Sequence, residues 1–183
     1  MTTALLVVDM LNDFLHGVLA NPAARAIVEP ISGAVDRARA HADWVVVYTN
    51  DAHHLDDVEL QVFPPHAMAG TPGAQVIDEL APAAGDLVVD KRAYSAFTGT
   101  TLEELLRRHA VQQLVLVGQH TDCCLRHTSY DAFMRGLDIV VCPDASAVFE
   151  PGTPEPVETR QERALEYLRA YYGATLKSVT DLS

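Results

Sequence analysis

The chain is short of cysteine and of cations, and it has no long apolar run; each scarcity removes a class of protein. Its only cysteines are Cys123, Cys124 and Cys142, and no CxxC spacing occurs. They cannot build a disulfide framework, so a reduced compartment with one functional thiol is the simplest account. Lysine and arginine number 13 against 25 aspartate and glutamate, a net charge of -12. That balance argues against binding nucleic acid or an anionic membrane, since both need cationic patches. No run approaches the roughly 18 apolar residues of a membrane span. The first apolar stretch has no basic region before it and reads as a strand, which makes the cytoplasm the default location. Internal repeats, low-complexity tracts and long linkers are also missing. What remains is a chain of 183 residues, 49% hydrophobic, expected to form a single domain over residues 1–183 with a substantial core.

Three apolar runs each end on chemistry. Residues 4–8 stop at Asp9, residues 87–90 stop at Lys91, and residues 114–118 open into Gln119-His120-Thr121-Asp122-Cys123-Cys124. Further strands are expected at 44–48, 137–142 and, at an edge, 175–179. Helices are expected at 23–40, 74–80, from Thr101 through His109, at 123–135 and at 156–172. Thr101 and Glu104 have the spacing of a capping box. Residues 50–73 form a long irregular segment, and loops of that length are usually functional. Continuous apolar strands alternating with helices predict an α/β, three-layer αβα fold with a six-stranded, mainly parallel, Rossmann-like sheet. Ligands in such sheets sit outside the carboxyl ends of the strands, where Asp9, Lys91 and a cysteine would meet.

Cys124 falls in the first turn of a helix, after Thr121 and Asp122 as candidate caps. Unpaired N–H groups and the helix dipole favour thiolate there, the nucleophilic form. A small buried core thiol is the alternative. Cys123 lies about 100° round the helix, which keeps the two from facing one cleft, and Cys142 reads as strand packing. Asp9 and Lys91 each serve equally well as a turn or a solvated strand end. Together with a thiol they make a base, a cation and a nucleophile. Asp51-x-His53 puts an oxygen and a nitrogen ligand on one side of an extended strand, and Glu59 and His66 follow in the same loop. Such a set suits zinc, manganese or iron without distinguishing them, while His54, Asp56 and Asp57 read as solvated neighbours. Phe14, Tyr94 and Phe97 either line an aromatic slot for a flat substrate or pack beneath the loop.

These residues stand in recognisable order. Val8-Asp9-Met10-Leu11-Asn12-Asp13-Phe14, Asp51-Ala52-His53, Phe63-Pro64-Pro65-His66 running into Gly70-Thr71-Pro72-Gly73, residues 91–100, and Gly118 through Cys124 to Asp131-Ala132 follow one another. On them the chain resembles the isochorismatase-like cysteine hydrolases and, within these, the nicotinamidases. The resemblance implies Asp9 as general base, Lys91 as electrostatic partner and Cys124 as nucleophile. It implies Asp51, His53, Glu59 and His66 as ligands of one divalent metal, usually zinc. It also implies a cis Gln119–His120 peptide, with the amides of His120 and Cys124 forming an oxyanion hole. The activity implied is hydrolysis of nicotinamide, or a close aromatic amide such as pyrazinamide, to the acid and ammonia through a thioester. That chemistry belongs to NAD salvage. The alternative is a sister hydrolase acting on another amide or lactam, of streptothricin or carbamoyl type. The partner is a small-molecule amide in either case, and a homo-oligomer is left open. Gln119 and His120 depart from the family's small or apolar residues, Leu125 replaces a frequent valine, and Ala52 stands where a tryptophan is common.

Overall fold

The computed structural model describes residues 1–152 and 154–182. Six strands form one sheet in the order β3-β2-β1-β4-β5-β6, and every pairing is parallel. They are β1 (Thr2–Val8), β2 (Trp44–Asp51), β3 (Leu87–Lys91), β4 (Val111–Gln119), β5 (Asp138–Ala147) and β6 (Thr175–Leu176). Alternation along β1 and β4 divides the core in two. Leu5, Val7, Val115 and Val117 face one side, against Ile31, Ala34, Val35 and Ala38 of helix α3 (Val28–Ala40). Ala4, Leu6, Val8, Leu114 and Leu116 face the other, against Leu102 and Leu106 of α4 (Leu102–Arg108), Leu125 and Ala132 of α5 (Cys124–Met134), and Leu165 and Leu168 of α6 (Val157–Tyr172). Strands buried on both faces need no polar alternation, which is why they read as unbroken apolar runs.

Several local expectations are corrected. The helix expected at 23–40 is split into α2 (Pro22–Arg25) and α3. A continuous helix would bury Pro30 in its interior, without an N–H and against the carbonyl of Ala26; starting at Val28 puts it in the first turn, where it is tolerated. The 74–80 helix is replaced by 3-10 turns at Pro72–Ala74 and Asp78–Leu80. Thr101 makes no side-chain cap. The Thr100 hydroxyl accepts from the Leu102 N–H at 3.2 Å instead, and Glu104 pairs with Arg108. β5 runs past Cys142, with its register against β4 shifting between Leu116 and Gly118. Pro143 cannot donate to a ladder, so pairing lapses there and resumes at Ser146. The last helix ends as expected, with Gly173 left-handed.

The order reverses at β1, which leads to β2 on one side while β4 packs on the other. A ligand crevice forms at such a switch point. Gly118 of β4, paired with Val8 at the end of β1, has φ +108, and a Cβ there would lie 2.1 Å from the Val8 carbonyl oxygen. Only glycine allows β4 to approach the end of β1 so closely.

Candidate active site

Asp9 follows β1 directly and takes a left-handed φ of 52°, sparsely populated for any residue but glycine. That turn buries its carboxylate under the crevice. Lys91, the last residue of β3, is the largest charged side chain fully enclosed by the fold. Its Nζ lies 2.8 Å from Asp9 Oδ2 and 2.5 Å from Asp51 Oδ1, and donates to Cys124 Sγ at 3.7 Å. The Asp51 N–H donates to Asp9 Oδ1 at 2.9 Å. Asp9, Asp51 and Cys124 thus offer ligand atoms within 4.8 Å of one another.

Burial and the Asp51 charge raise the Asp9 pKa to about 7, against the pull of Lys91. Burial works against the Lys91 charge, but Asp51 and Asp9 overcome it and raise its pKa well above the ordinary value. A hydrogen bond with Cys123 and burial push Cys124 upward, opposed by Lys91. The same thiol–thiol hydrogen bond lowers Cys123 to about 7. The direction for Cys124 is opposite to the one expected at a helix start. Neither Thr121 nor Asp122 caps that helix; Cys123 is the N-cap residue, with φ -129° and ψ -95°. Because Cys123 is not helical, the 100° separation does not apply, and both thiols line one cavity. Cys142 is buried in the core, as expected.

Asp51 also belongs to a second cluster. His53 Nε2 lies 3.7 Å from Asp51 Oδ2 and 3.6 Å from Glu59 Oε2, and His66 Nε2 lies 3.6 Å from Glu59 Oε1. These separations are too long for hydrogen bonds and close to the ~3.3–3.5 Å edges of a tetrahedron of ligands around zinc. His53 Nδ1 meets Asp57 Oδ2 at 2.9 Å, and His66 Nδ1 meets the Pro64 carbonyl at 2.8 Å. Both partners are acceptors only, so each Nδ1 carries a proton and, in the neutral ring, Nε2 is the atom with the lone pair. Both Nε2 atoms are buried without a partner. Burial works against charge on His53, yet Asp51, Asp57 and Glu59 raise its pKa to about 9; these acids call for positive charge at Nε2, which a proton supplies when no cation is bound and a divalent cation would supply in its place. Two unpaired imidazole nitrogens among buried carboxylates are the environment of a divalent cation, and the donor set fits one.

The cavity between the clusters measures about 230 Å3 and is lined by Phe14, Leu19, Phe63, Tyr94 and Phe149, with Asp51, Glu59, His66, His120, Asp122, Cys123, Cys124 and Arg160. Phe14 and Tyr94 stand in its wall. Phe97 does not: it is buried in the core between the sheet and α4, with the Arg135 guanidinium 4.6 Å over its ring. Asp57 is corrected too, being buried and holding His53, the His54 N–H and Arg92 Nε. Only its position four residues after His53 hinted at this. Phe63 was visible beside Pro64-Pro65-His66, whereas Phe149, Arg160 and Leu19 reach the cavity from segments with no local sign of it.

The bulky Gln119 has a structural use. Its Nε2 donates to the Asp9 carbonyl at 3.1 Å and its Oε1 accepts from Asn21 Nδ2 at 3.1 Å. Asn21 donates also to the Val148 carbonyl and accepts from the Glu150 N–H. These hydrogen bonds tie the turn at Asp9 to the cavity wall around Phe149. The Gln119–His120 peptide is cis, and among the described residues the N–H groups of His120 and Cys124 donate to no protein acceptor.

A parallel α/β sheet with an acid, a lysine and a thiol at its switch point, beside a loop-borne ligand cluster, describes a class of cysteine hydrolase. The isochorismatase domain family model matches residues 3–181, and the chain belongs to that family. It is similar to the N-carbamoylsarcosine amidase of Thermoplasma acidophilum, at 40% identity and a TM-score of 0.90, covering 100% of this chain and 99% of that one. It is similar to the nicotinamidase/pyrazinamidase of Mycobacterium tuberculosis, 34% identical over 162 residues, 79% of this chain and 86% of that protein. A pyrazinamidase of Pyrococcus horikoshii solved in complex with zinc shares 26% identity with a TM-score of 0.84, over 97% and 99% of the two chains. The chain is accordingly a hydrolase acting on amide carbon–nitrogen bonds. Among the described residues no helix is long and apolar enough to cross a membrane.

Proposed function

We propose that this hydrolase converts nicotinamide, or a close aromatic amide such as pyrazinamide, to the acid and ammonia through a thioester on Cys124. One observation carries the reading: Asp51 is shared between the thiol cluster and a cluster with two unpaired imidazole nitrogens. The Asp51, His53, Glu59 and His66 donors would hold one divalent ion, zinc ahead of manganese or iron, and when bound it supplies a Lewis acid for a pyridine-type ring nitrogen. Phe14 and Tyr94 offer that ring an aromatic wall.

Asp9 is the proposed base. It takes the Cys124 proton as sulfur attacks the amide carbon, and the carbonyl electron pair moves onto oxygen before the N–H groups of His120 and Cys124. The carbon–nitrogen bond breaks as Asp9 returns the proton to nitrogen, and ammonia leaves. Water then adds to the thioester, Asp9 accepts its proton, and the acid departs as the thiol is restored. A carboxyl whose pKa is near 7 suits a group that must both take and return a proton. Lys91 holds positive charge beside both partners throughout.

A second reading is supported by the full-length similarity to the N-carbamoylsarcosine amidase. The charge of the cavity favours the first. Its lining acids are Asp51, Glu59 and Asp122, and its lining cation, Arg160, lies 3.1 Å from Asp122. With a divalent ion bound the wall is about neutral, which suits an uncharged amide better than a carbamoyl amino acid bearing a carboxylate. Ammonia release by the metal-loaded protein from nicotinamide, pyrazinamide, benzamide and N-carbamoylsarcosine tests the choice. Nicotinamide and pyrazinamide are expected to lead; preference for the carbamoyl compound installs the second reading. We assign the protein to the cytoplasm, supported by three free cysteines, and, on the nicotinamide reading, the reaction to NAD salvage.

A further inference from the structure

Gln119 and His120 place two bulky polar side chains side by side at the end of β4, and the structure accounts for only one of them. Gln119 is fully committed to Asp9 and Asn21. His120 is not. Its imidazole forms part of the cavity wall, set edge-on between two aromatic rings, with centroids 5.5 Å from Phe14 and 5.0 Å from Phe149. Its Nε2 is buried and has no hydrogen-bond partner among the described residues. A buried polar atom left unpaired is unfavourable, and natural structures rarely keep one without a use. Atoms of Asp9, Tyr48, Thr49, Asn50, His53, Thr121 and Ser129 share this condition, but those residues do not line the cavity; His66 does, within the candidate metal cluster, and His120 lines it outside that cluster.

Resting on the amidase reading, we propose that His120 is a specificity-determining residue: its imidazole hydrogen-bonds a polar group carried by the substrate besides the amide and the metal-directed nitrogen. The favoured substrate class is therefore a small, neutral heteroaromatic amide with one additional ring nitrogen, hydroxyl or amino group. Burial holds the imidazole down to about 3, so it recognises neutral polar groups and offers no charge to a carboxylate. The cavity of about 230 Å3 is below the usual range for drug-sized ligands, which limits the substrate to about one ring. A site built to pair a substrate group discriminates against the analogue lacking it, because its own polar atom is then stranded.

The test measures kcat/KM for nicotinamide, pyrazinamide and the monohydroxylated and monoamino nicotinamides with zinc-loaded protein, His120→Leu and His120→Gln. Only ratios to nicotinamide are read, so any loss common to all substrates cancels. In the unaltered protein at least one substituted amide should exceed nicotinamide by about tenfold or more. His120→Leu should bring that ratio to near one, and His120→Gln, which keeps a hydrogen-bonding group, should restore part of it. Ratios unchanged by His120→Leu, or no substituted amide preferred in the unaltered protein, overturn the proposal. Dissociation constants of the same amides, measured calorimetrically in the Cys124→Ala protein with and without His120→Leu, separate the two claims. If no aromatic amide is hydrolysed, the nicotinamidase reading falls, and the binding ratios still decide for or against His120.

Discussion

The two halves of the cavity are built differently. Asp9 and Lys91 stand at the ends of β1 and β3, and Cys124 begins the helix after β4, so the sheet itself sets their spacing. His53, Glu59 and His66 come from the irregular segment between β2 and β3, where the regular elements are 3-10 turns. There, position depends on individual hydrogen bonds: Asp57 and Pro64 orient the two imidazoles, and the His53 N–H and Ala69 N–H bracket the loop by bonding to the Ala67 and His53 carbonyls. Sheet ends give rigid placement for groups that exchange protons over short distances. A loop held by side-chain bonds gives placement that single substitutions loosen. The halves should therefore fail differently.

The largest effect belongs to the strand-end half. Cys124→Ala should lower turnover by ~10^4-fold or more, since covalent catalysis loses its nucleophile. Cys123→Ala should stay within about tenfold, although its thiol shares the cavity. Ammonia release with matched thermal unfolding curves checks both; the reverse ranking would move the nucleophile to Cys123. Next come Asp9→Asn and Lys91→Ala, each expected to lower kcat by roughly 10^3-fold, with the double variant little worse than either. Additive losses would mean that the two act independently, and the rigid unit would dissolve.

The difference between the halves also explains what could be read in advance. Asp9, Lys91 and Cys124 were legible because each ends or follows an unbroken apolar run, and the parallel sheet follows from such runs joined by helices; the strand order does not. The split at Pro30 was legible in principle from proline chemistry alone. Phe97 was misplaced because its neighbour Tyr94 does reach the cavity, and the bend between them depends on packing: the Ser95 hydroxyl donates to Asp131 and the Ala96 N–H to the Thr128 hydroxyl. Cys123 was misjudged by assuming a helix one residue too long at its start. Phe149 and Arg160 depend on how the β5–α6 connection folds back, which no local pattern records.

On the loop half, effects should be smaller and fall on binding. His53→Ala, or chelation of the native protein, should raise KM for nicotinamide by about 10- to 100-fold, the scale of a lost orienting contact. Alkylation of Cys124 by a small reagent should change by less than about threefold, because Lys91 and Asp9 remain beside the thiol. Benzamide, without the ring nitrogen, should be poorer than nicotinamide in the native protein, and the gap should narrow once the metal is removed. Equal handling of the two amides by the native protein would remove the metal from substrate recognition.

The mildest prediction concerns Asp57, which touches neither thiol nor cavity. Its carboxylate is pinned by the His54 N–H at 2.9 Å and by Arg92 Nε at 2.8 Å, and Arg92 foremost holds its pKa well below the usual range. It therefore stays ionised, accepts a hydrogen bond from His53 Nδ1–H, and leaves Nε2 as the ligand atom facing the other donors. A carboxylate in this position both fixes the ring and makes it a better ligand. Asp57→Ala should weaken zinc or manganese binding by about 10- to 100-fold, and Asp57→Asn by less, since an amide oxygen still accepts but without charge. Competition with a chromophoric chelator reads this directly, and it is independent of turnover. At saturating metal, KM for nicotinamide should return close to that of the unaltered protein. A metal affinity unmoved in Asp57→Ala, or a KM defect that excess metal does not repair, would show that the loop is held by other contacts and that Asp57 serves only to anchor Arg92.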